Sequence, residues 1–340
     1  MMVENNNVQV CVECMTFNQA TYIKDTLDGF CMQQTSFPYV CIVMDDASTD
    51  GEQEVITKYL HDNFNLNDGA IVRTDETDDY VMTFAQHRNN LNCFFAVFFL
   101  KYNHYSKGIR KESYYAEWRN ASKYLAMCEG DDYWTLPTKL QVQYDYLESH
   151  PNVVLSCHRY SVLDVATGQC EIGENPYFDS KSNSKVTEFE FDLHYYLNSW
   201  ITKTLSNMYK RNAFKDDYYV SYKFARDVHF NYYVMTKGRG VCHAFNGGVY
   251  RKNVSSSVFG KLNKMEQLEI NSKVYEEIAE VTGDPDVRAT ANTIIVLDCM
   301  KRLKSVGGGY FYALKCLCLV HRLVKFVQRG FKRGIPPISS

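Results

Sequence analysis

Tyr124-Leu125-Ala126-Met127-Cys128-Glu129-Gly130-Asp131-Asp132-Tyr133-Trp134 runs from five apolar residues directly into three carboxylates within four positions. Like charges a few ångströms apart raise one another's pKa. Such a turn is therefore either loose and solvated or a seat for a hard, oxygen-loving divalent cation such as Mg²⁺ or Mn²⁺. An acidic pair met alone is as often a polar turn that ends a strand. Here the neighbouring chain decides between the two.

Upstream, Val8 to Met15 is a short apolar run suited to a buried strand, and Asn18-Gln19-Ala20-Thr21 then offers turn and cap residues. A helix is expected next, with Tyr22, Ile23, Leu27 and Phe30 on its apolar face. Pro38 precedes a second run, Tyr39 to Met44, that stops at Asp45-Asp46-Ala47-Ser48-Thr49-Asp50-Gly51. Another helix follows, carrying Val55, Ile56, Tyr59 and Leu60. Ala70-Ile71-Val72 reads as a third short strand and Tyr124 to Cys128 as a later one. Strands alternating with helices imply an α/β fold with a mostly parallel sheet between helices. Ligands of such sheets bind beyond the carboxyl ends of the strands, where the acidic turns at 45–50 and 129–132 would meet. Phe94 to Leu100 is densely aromatic and leads into a basic loop, Lys101 to Lys111, that no pattern places. From Met265 the pattern turns helical, with a cap and proline at Asp284-Pro285 and a breaker at Gly307-Gly308-Gly309.

The 340 residues suffice for a sizeable core, and 45% hydrophobic content fits a globular protein. Met1 to Val10 is polar and acidic, so no secretory signal is expected, and no uninterrupted apolar stretch of about 18 residues suggests a spanning helix. The twelve cysteines lack a repeating spacing and are expected to be reduced and mostly buried in a cytoplasmic protein. Cys11 and Cys14 form a CxxC inside a strand-like run, which disfavours a redox pair. Cys316 and Cys318 have the wrong spacing for zinc. The net charge of −3 hides an asymmetry. Nine basic and no acidic residues follow Asp298, while the rest of the chain sets 28 basic against 40 acidic side chains, a balance of −12. The tail suggests a separate task.

In order along the chain, Met15-Thr16-Phe17-Asn18 with Tyr22-Ile23, then Asp45 to Gly51, then Glu129 to Trp134 with Lys139-Leu140, then Arg226-Asp227 with Gly238 resemble the landmarks of family 2 glycosyltransferases of the GT-A fold. The resemblance covers roughly residues 8 to 255, and its metal motif looks like that of a bacterial branch with E-G-D-D-Y-W in place of D-x-D. Single landmarks are weak to moderate signals, whereas their ordered combination is specific. It implies a catalytic domain over 1–257 and a helical extension with a basic tail over 258–340. It also implies a sugar transferase of the hexosyl or N-acetylhexosaminyl type.

On this resemblance the chain performs inverting, metal-dependent transfer from a nucleotide-sugar, expected to be a UDP-sugar, to a glycan or lipid-linked acceptor, as in bacterial surface polysaccharide synthesis. Glu129, Asp131 and Asp132 are the metal candidates, for Mn²⁺ or Mg²⁺, because a divalent ion can neutralise a departing diphosphate. Asp45 and Asp46, with Thr16, are expected to hold base and ribose, and Asp131 and Arg251 to face the diphosphate, Arg251 through its forked guanidinium. Asp227 is the candidate general base on the acceptor hydroxyl. As an N-cap it would be merely structural. Asp50-Gly51 reads as a cap and turn, and Trp134 as a core anchor. Asp78-Asp79 and Asp216-Asp217 read as solvated pairs. One departure stands out: Asn253 occupies the place of the histidine in a Y-R-x-H element, Tyr250-Arg251-Lys252-Asn253 here.

That departure keeps open a catalytically silent nucleotide-binding or scaffold protein. A sugar nucleotidyltransferase ranks below it, since residues 11–20 lack the glycine and basic residues of a phosphate loop. In the tail, Lys315, Arg322, Arg329 and Arg333 fall on one helical face. They would make either a solvated face of a packed helix or a peripheral contact with the anionic inner face of a membrane. Nucleic acid is not an expected partner of an otherwise acidic chain.

Overall fold

A computed structural model describes residues 8–67, 71–180, 185–199, 201–217, 221–222, 226–252 and 264–304. Asn253 and the basic tail from 305 on lie outside the described residues, as does the boundary expected near 257–264. Two compact units make up the chain: residues 1–216 with 231–257, and residues 217–230 with 258–340.

The first unit opens with β1 (Val10–Thr16), α1 (Ile23–Cys31), β2 (Tyr39–Asp45) and α2 (Glu52–Asn63). An edge hairpin follows, β3 (Val72–Glu76) and β4 (Tyr80–Gln86), and then β5 (Cys93–Leu100), α3 (Ala116–Ala121), β6 (Tyr124–Met127), β7 (Tyr133–Trp134) and α4 (Lys139–Ser149). The remaining elements are β8 (Val153–Asp164), β9 (Cys170–Ile172), β10 (Glu188–Phe191), α5 (Leu193–Asn198), β11 (Met208–Lys210), α6 (Asp227–Met235) and β12 (Arg239–Lys252). Helix α6 starts in the second unit and continues into the first.

Among the described residues one sheet contains all twelve strands, along the path β10-β12-β8-β11-β6-β1-β2-β5-β4-β3 with β7 on β12 and β9 on β8. Its centre, β6-β1-β2-β5, is parallel. Parallel strands covered on both faces read as unbroken apolar runs, and β2 is buried along its whole length. Phe94 to Leu100 is therefore a core strand, β5, paired in parallel with β2. The strand expected at Ala70–Val72 begins instead at Val72 and is an exposed antiparallel edge, which the apolar pattern could not reveal. Helix α1 buries Ile23, Leu27 and Phe30, and Phe30 meets Trp134 edge to face at 4.9 Å between ring centres. Trp134 is a core anchor whose indole Nε1 donates to Leu205 O at 2.8 Å.

Two buried charged groups of this core stand out, Glu13 and Lys139. Glu13 on β1 meets Arg119 on α3 at 2.5 Å. Burial nevertheless pushes Glu13 up to about 7, because desolvation outweighs the pull of the Arg119 guanidinium. Arg119 also reaches Asp216 at 3.3 Å, and Arg211 holds Asp216 at 2.8 Å, so Asp216 is an ion-pair partner rather than a solvated acid. Lys139 is wholly buried, has no hydrogen-bond partner for Nζ, and places that nitrogen 4.0 Å over the Trp134 ring.

In the second unit, α7 (Lys264–Thr282) and α8 (Pro285–Lys304) form a helical pair. Val274, Ile278, Ala279, Val287 and Ala291 are buried there. Asp284 accepts from Asp286 N at 2.8 Å, capping the helix that Pro285 begins. His229 lies 3.1 Å from Glu277.

Candidate active site

Strand register makes the site. Thr16 and Asp45 are partners at the carboxyl ends of β1 and β2, and Glu13 partners Met127 near the end of β6. Asp46 N then donates to Thr16 O at 3.0 Å, Cys128 N to Glu13 O at 3.1 Å and Gly130 N to Met15 O at 3.2 Å. Both acidic turns thus leave the sheet at one edge, fixed to the same strand by backbone hydrogen bonds.

Glu129, Asp131 and Asp132 bring carboxylate oxygens within 4.8 Å of one another, Glu129 exposed and the two aspartates buried. Burial raises the pKa of Asp131. Burial, followed by the charges of Asp131 and Glu129, raises Asp132 well above the ordinary carboxylate range, and the N–H of Arg251 only partly offsets this. Three clustered oxygen donors, two of them with raised pKa, suit a hard divalent cation, whose charge would remove the repulsion. The residues present therefore fit the expected metal.

Arg251 holds this turn from β12. Its backbone N–H donates to Asp132 Oδ1 at 2.8 Å, and Nη1 donates to Asp131 O at 2.8 Å. Nη2 pairs with Asp25 on α1, and the guanidinium lies against the rings of Tyr133 and Tyr22. At 6% exposure the side chain braces the acidic loop. Gly130 is required by crowding, since a Cβ there would run into Thr16 Oγ1 and Gln19 Oε1.

The nucleoside candidates divide. Asp45 Oδ1 accepts from Ser48 N at 3.1 Å and from Gln53 Nε2, while its Oδ2 is buried with no partner. Burial raises its pKa. Asp46 is occupied: Oδ1 accepts from His104 N at 2.7 Å, and Oδ2 accepts from Tyr105 N at 3.0 Å and Lys111 Nζ at 3.2 Å. The unplaced loop Lys101–Lys111 is thereby tied to the site. Thr16 is likewise engaged internally, its hydroxyl bonded to Gln19 Oε1 and Glu52.

Glu52 was not singled out from sequence, yet it is buried and also accepts from Gln19 N and Ser48 Oγ, each at 2.8 Å. Its place just after Asp50-Gly51, at the start of α2, was the available signal. Asp50 caps as expected, accepting from Glu52 N, and Gly51 takes φ +92°. Asn18 and Ala47, at φ 54° and 61°, carry left-handed backbone on the two facing turns, a strain concentrated at this edge.

Asp79 is partly open to solvent as expected, yet it also has partners in the fold. It accepts from Tyr102 OH and from Tyr114 OH at 3.1 Å, and these bonds hold it below the usual carboxylate range. Tyr114 OH also lies 3.1 Å from His104 Nε2, so Asp79 supports the same loop that Asp46 pins. Asp227 is the first residue of α6, exposed, with Oδ1 accepting from Val228 N at 2.9 Å, and it belongs to the second unit.

Residues 12–77 match the family model described as Glycosyl transferase family 2. That span contains β1, α1, β2, α2 and the turn from Asp45 to Gly51. Uncharacterized proteins of Mycobacterium tuberculosis and Mycobacterium bovis are each 32% identical over 149 residues, 44% of this chain and 34% of theirs. The match therefore spans about a third of the length of these curated relatives. Among solved structures, residues 1–349 of S. aureus TarS in complex with UDP-GlcNAc align with TM-score 0.52 at 18% identity, over 87% of this chain and 73% of that one. The chain has the GT-A fold. Among the described residues, no helix is long and apolar enough to cross a membrane.

Proposed function

We propose that this protein is an inverting glycosyltransferase that moves a sugar from a nucleotide-sugar, a UDP-sugar first, to a glycan or lipid-linked acceptor. The observation that carries the reading is the convergence of Glu129, Asp131 and Asp132 at the sheet edge where Asp45 keeps an unpartnered, buried carboxylate oxygen. A nucleoside N–H or ribose hydroxyl satisfies that oxygen. TarS, which shares the fold, was solved with UDP-GlcNAc, and this makes UDP the nucleotide to try first.

Glu129 to Trp134 then serves as the E-G-D-D-Y-W metal motif. When bound there, Mn²⁺ or Mg²⁺ supplies charge neutralisation for the diphosphate leaving group. Arg251 keeps the carboxylates aimed by holding Asp131 O and Asp132 Oδ1. The loop pinned by Asp46 walls the nucleoside side. Asp227 takes the proton of the attacking hydroxyl, and residues 1–257 form the catalytic domain.

Release of UDP from a panel of donors with Mn²⁺ present tests this. Wild type should turn over at least one donor. Asp227→Asn should lose about 100-fold or more in turnover while still binding UDP, the scale of general-base loss. UDP binding by wild type without release from any donor would leave a silent nucleotide-binding protein instead.

A further inference from the structure

A groove of about 1120 Å³ opens beside β6, β11 and the segment after it, lined by Lys123, Lys210, Arg211, Lys215 and Lys237 with Glu148. It is not the carboxylate site. Tyr124, the first residue of β6, lines it and pairs with Lys210 in register, whereas Glu129 to Asp132 follow the other end of that strand. A four-residue strand separates the two, roughly 13 Å at about 3.3 Å per residue.

The charges do not cancel. Lys123 is compensated by Glu148 at 3.3 Å, and Arg211 by Asp216 at 2.8 Å. Lys210 gives its Nζ protons to the carbonyls of His150 and Pro151, which carry no formal charge. Lys215 and Lys237 are exposed, and among the described residues no carboxylate pairs with either. Arg211 Nε is buried without a hydrogen-bond partner. Two lysines without a paired carboxylate, and a third that has Glu148 as its opposing charge, around one concavity are unexpected in a chain whose first 300 residues are acidic overall. Tyr233 adds a partly exposed ring between the charges, with Lys237 Nζ 4.9 Å from its centre.

We propose that this groove binds a phosphate-bearing ligand, at a site separate from the one that holds the sugar donor. Clustered lysines recognise phosphate oxygens by charge-assisted hydrogen bonds. The phosphate comes either from a soluble phosphate chain or from a lipid headgroup, and the two sources are separable.

The test uses the full chain in EDTA, so that metal-mediated binding at Glu129–Asp132 does not contribute. One arm titrates inorganic tripolyphosphate by calorimetry. The other titrates monomeric dihexanoyl-phosphatidylglycerol below its critical micelle concentration, so that no membrane surface is present for the basic tail, with dihexanoyl-phosphatidylcholine as the neutral reference. Lys215→Glu/Lys237→Glu is compared with Lys58→Glu/Lys273→Glu, which makes the same change in net charge elsewhere on the surface. Thermal melts verify that both variants fold. The expected result is salt-sensitive binding in one arm, weakened about tenfold or more in the groove variant and less than about twofold in the control, as loss of charge-assisted contacts implies. The arm that binds names the source. No binding by wild type in either arm, or equal weakening by the two variants, overturns the proposal.

Discussion

The backbone N–H of Arg251 donates to Asp132 Oδ1 at 2.8 Å, while the same residue's Nη1 donates to Asp131 O. One residue of β12 thus orients two candidate ligands, and the two bonds differ in what mutation can remove. Arg251→Lys keeps the backbone bond and the positive charge but loses the fork that joins Asp131 O to Asp25. If Arg251 is a brace, Mn²⁺ affinity should fall about tenfold, the lower end of the cost of losing an outer-shell partner. If it is instead a phosphate ligand, the KM for donor should rise with Mn²⁺ affinity unchanged. Mn²⁺ titration and donor kinetics on the same variant separate the two.

Mn²⁺ should raise the melting temperature of wild type. Binding to the folded state alone stabilises by about 2.7 kcal/mol at a hundredfold excess over Kd. Asp132→Asn should lose most of this response while melting no lower than wild type without metal, because it removes a buried charge that its neighbours oppose. The response should also weaken as pH falls, since protons compete for carboxylates whose pKa values are already raised. Thermal melts with and without Mn²⁺ at pH 6 and 8 provide the measurement.

Asp46 carries the loop as well as facing the site. Asp46→Asn retains one acceptor oxygen for His104 N or Tyr105 N, not both, and loses the ion pair with Lys111. Leaving one such donor unsatisfied costs about 1–3 kcal/mol locally. Limited proteolysis should therefore cut within 101–111 faster in this variant, and UDP should bind more weakly. Unchanged cleavage with weaker UDP binding would assign Asp46 to the nucleotide alone.

Sequence showed the site's frame because apolar runs that stop at acidic turns are local signals. Tyr39–Met44 before Asp45 and Tyr124–Cys128 before Glu129 placed both turns at one sheet edge, and the register of β1 with β2 and β6 puts them there. What was hidden depends on partners distant in sequence. Thr16 looked free for a ligand because Glu52, 36 residues on, is not visibly its partner. The pairing of Arg251 with Asp25 was hidden because the two lie 226 residues apart. The partners of Asp79 and Asp216 were hidden because Tyr102, Tyr114, Arg119 and Arg211 reach them only in the fold. The edge strand β3 carries no apolar alternation, being exposed throughout, so periodicity could not mark it.

Lys139 offers a stability test that is independent of any ligand. Burial pulls its pKa down to about 7, and the Trp134 ring lies 4.0 Å from Nζ as a favourable contact for the charge. In the unfolded chain the group titrates near the usual lysine value, about 10.4. Between these two pH values the unfolded state binds the extra proton, so this lysine makes stability rise with pH across that window. Below about pH 7 both states are protonated, and the cost of burying the ammonium is then fully present. Cation–π attraction of about 1–2 kcal/mol offsets only part of it. Lys139→Met removes the charge while keeping a long, unbranched side chain in the same space. The variant should be more stable than wild type by a few kcal/mol at pH 6.5, and the gain should shrink towards zero by about pH 10. Denaturant unfolding of both proteins at pH 6.5, 8 and 9.5 checks this. A pH-independent difference would mean that Lys139 titrates no differently in the folded and unfolded states.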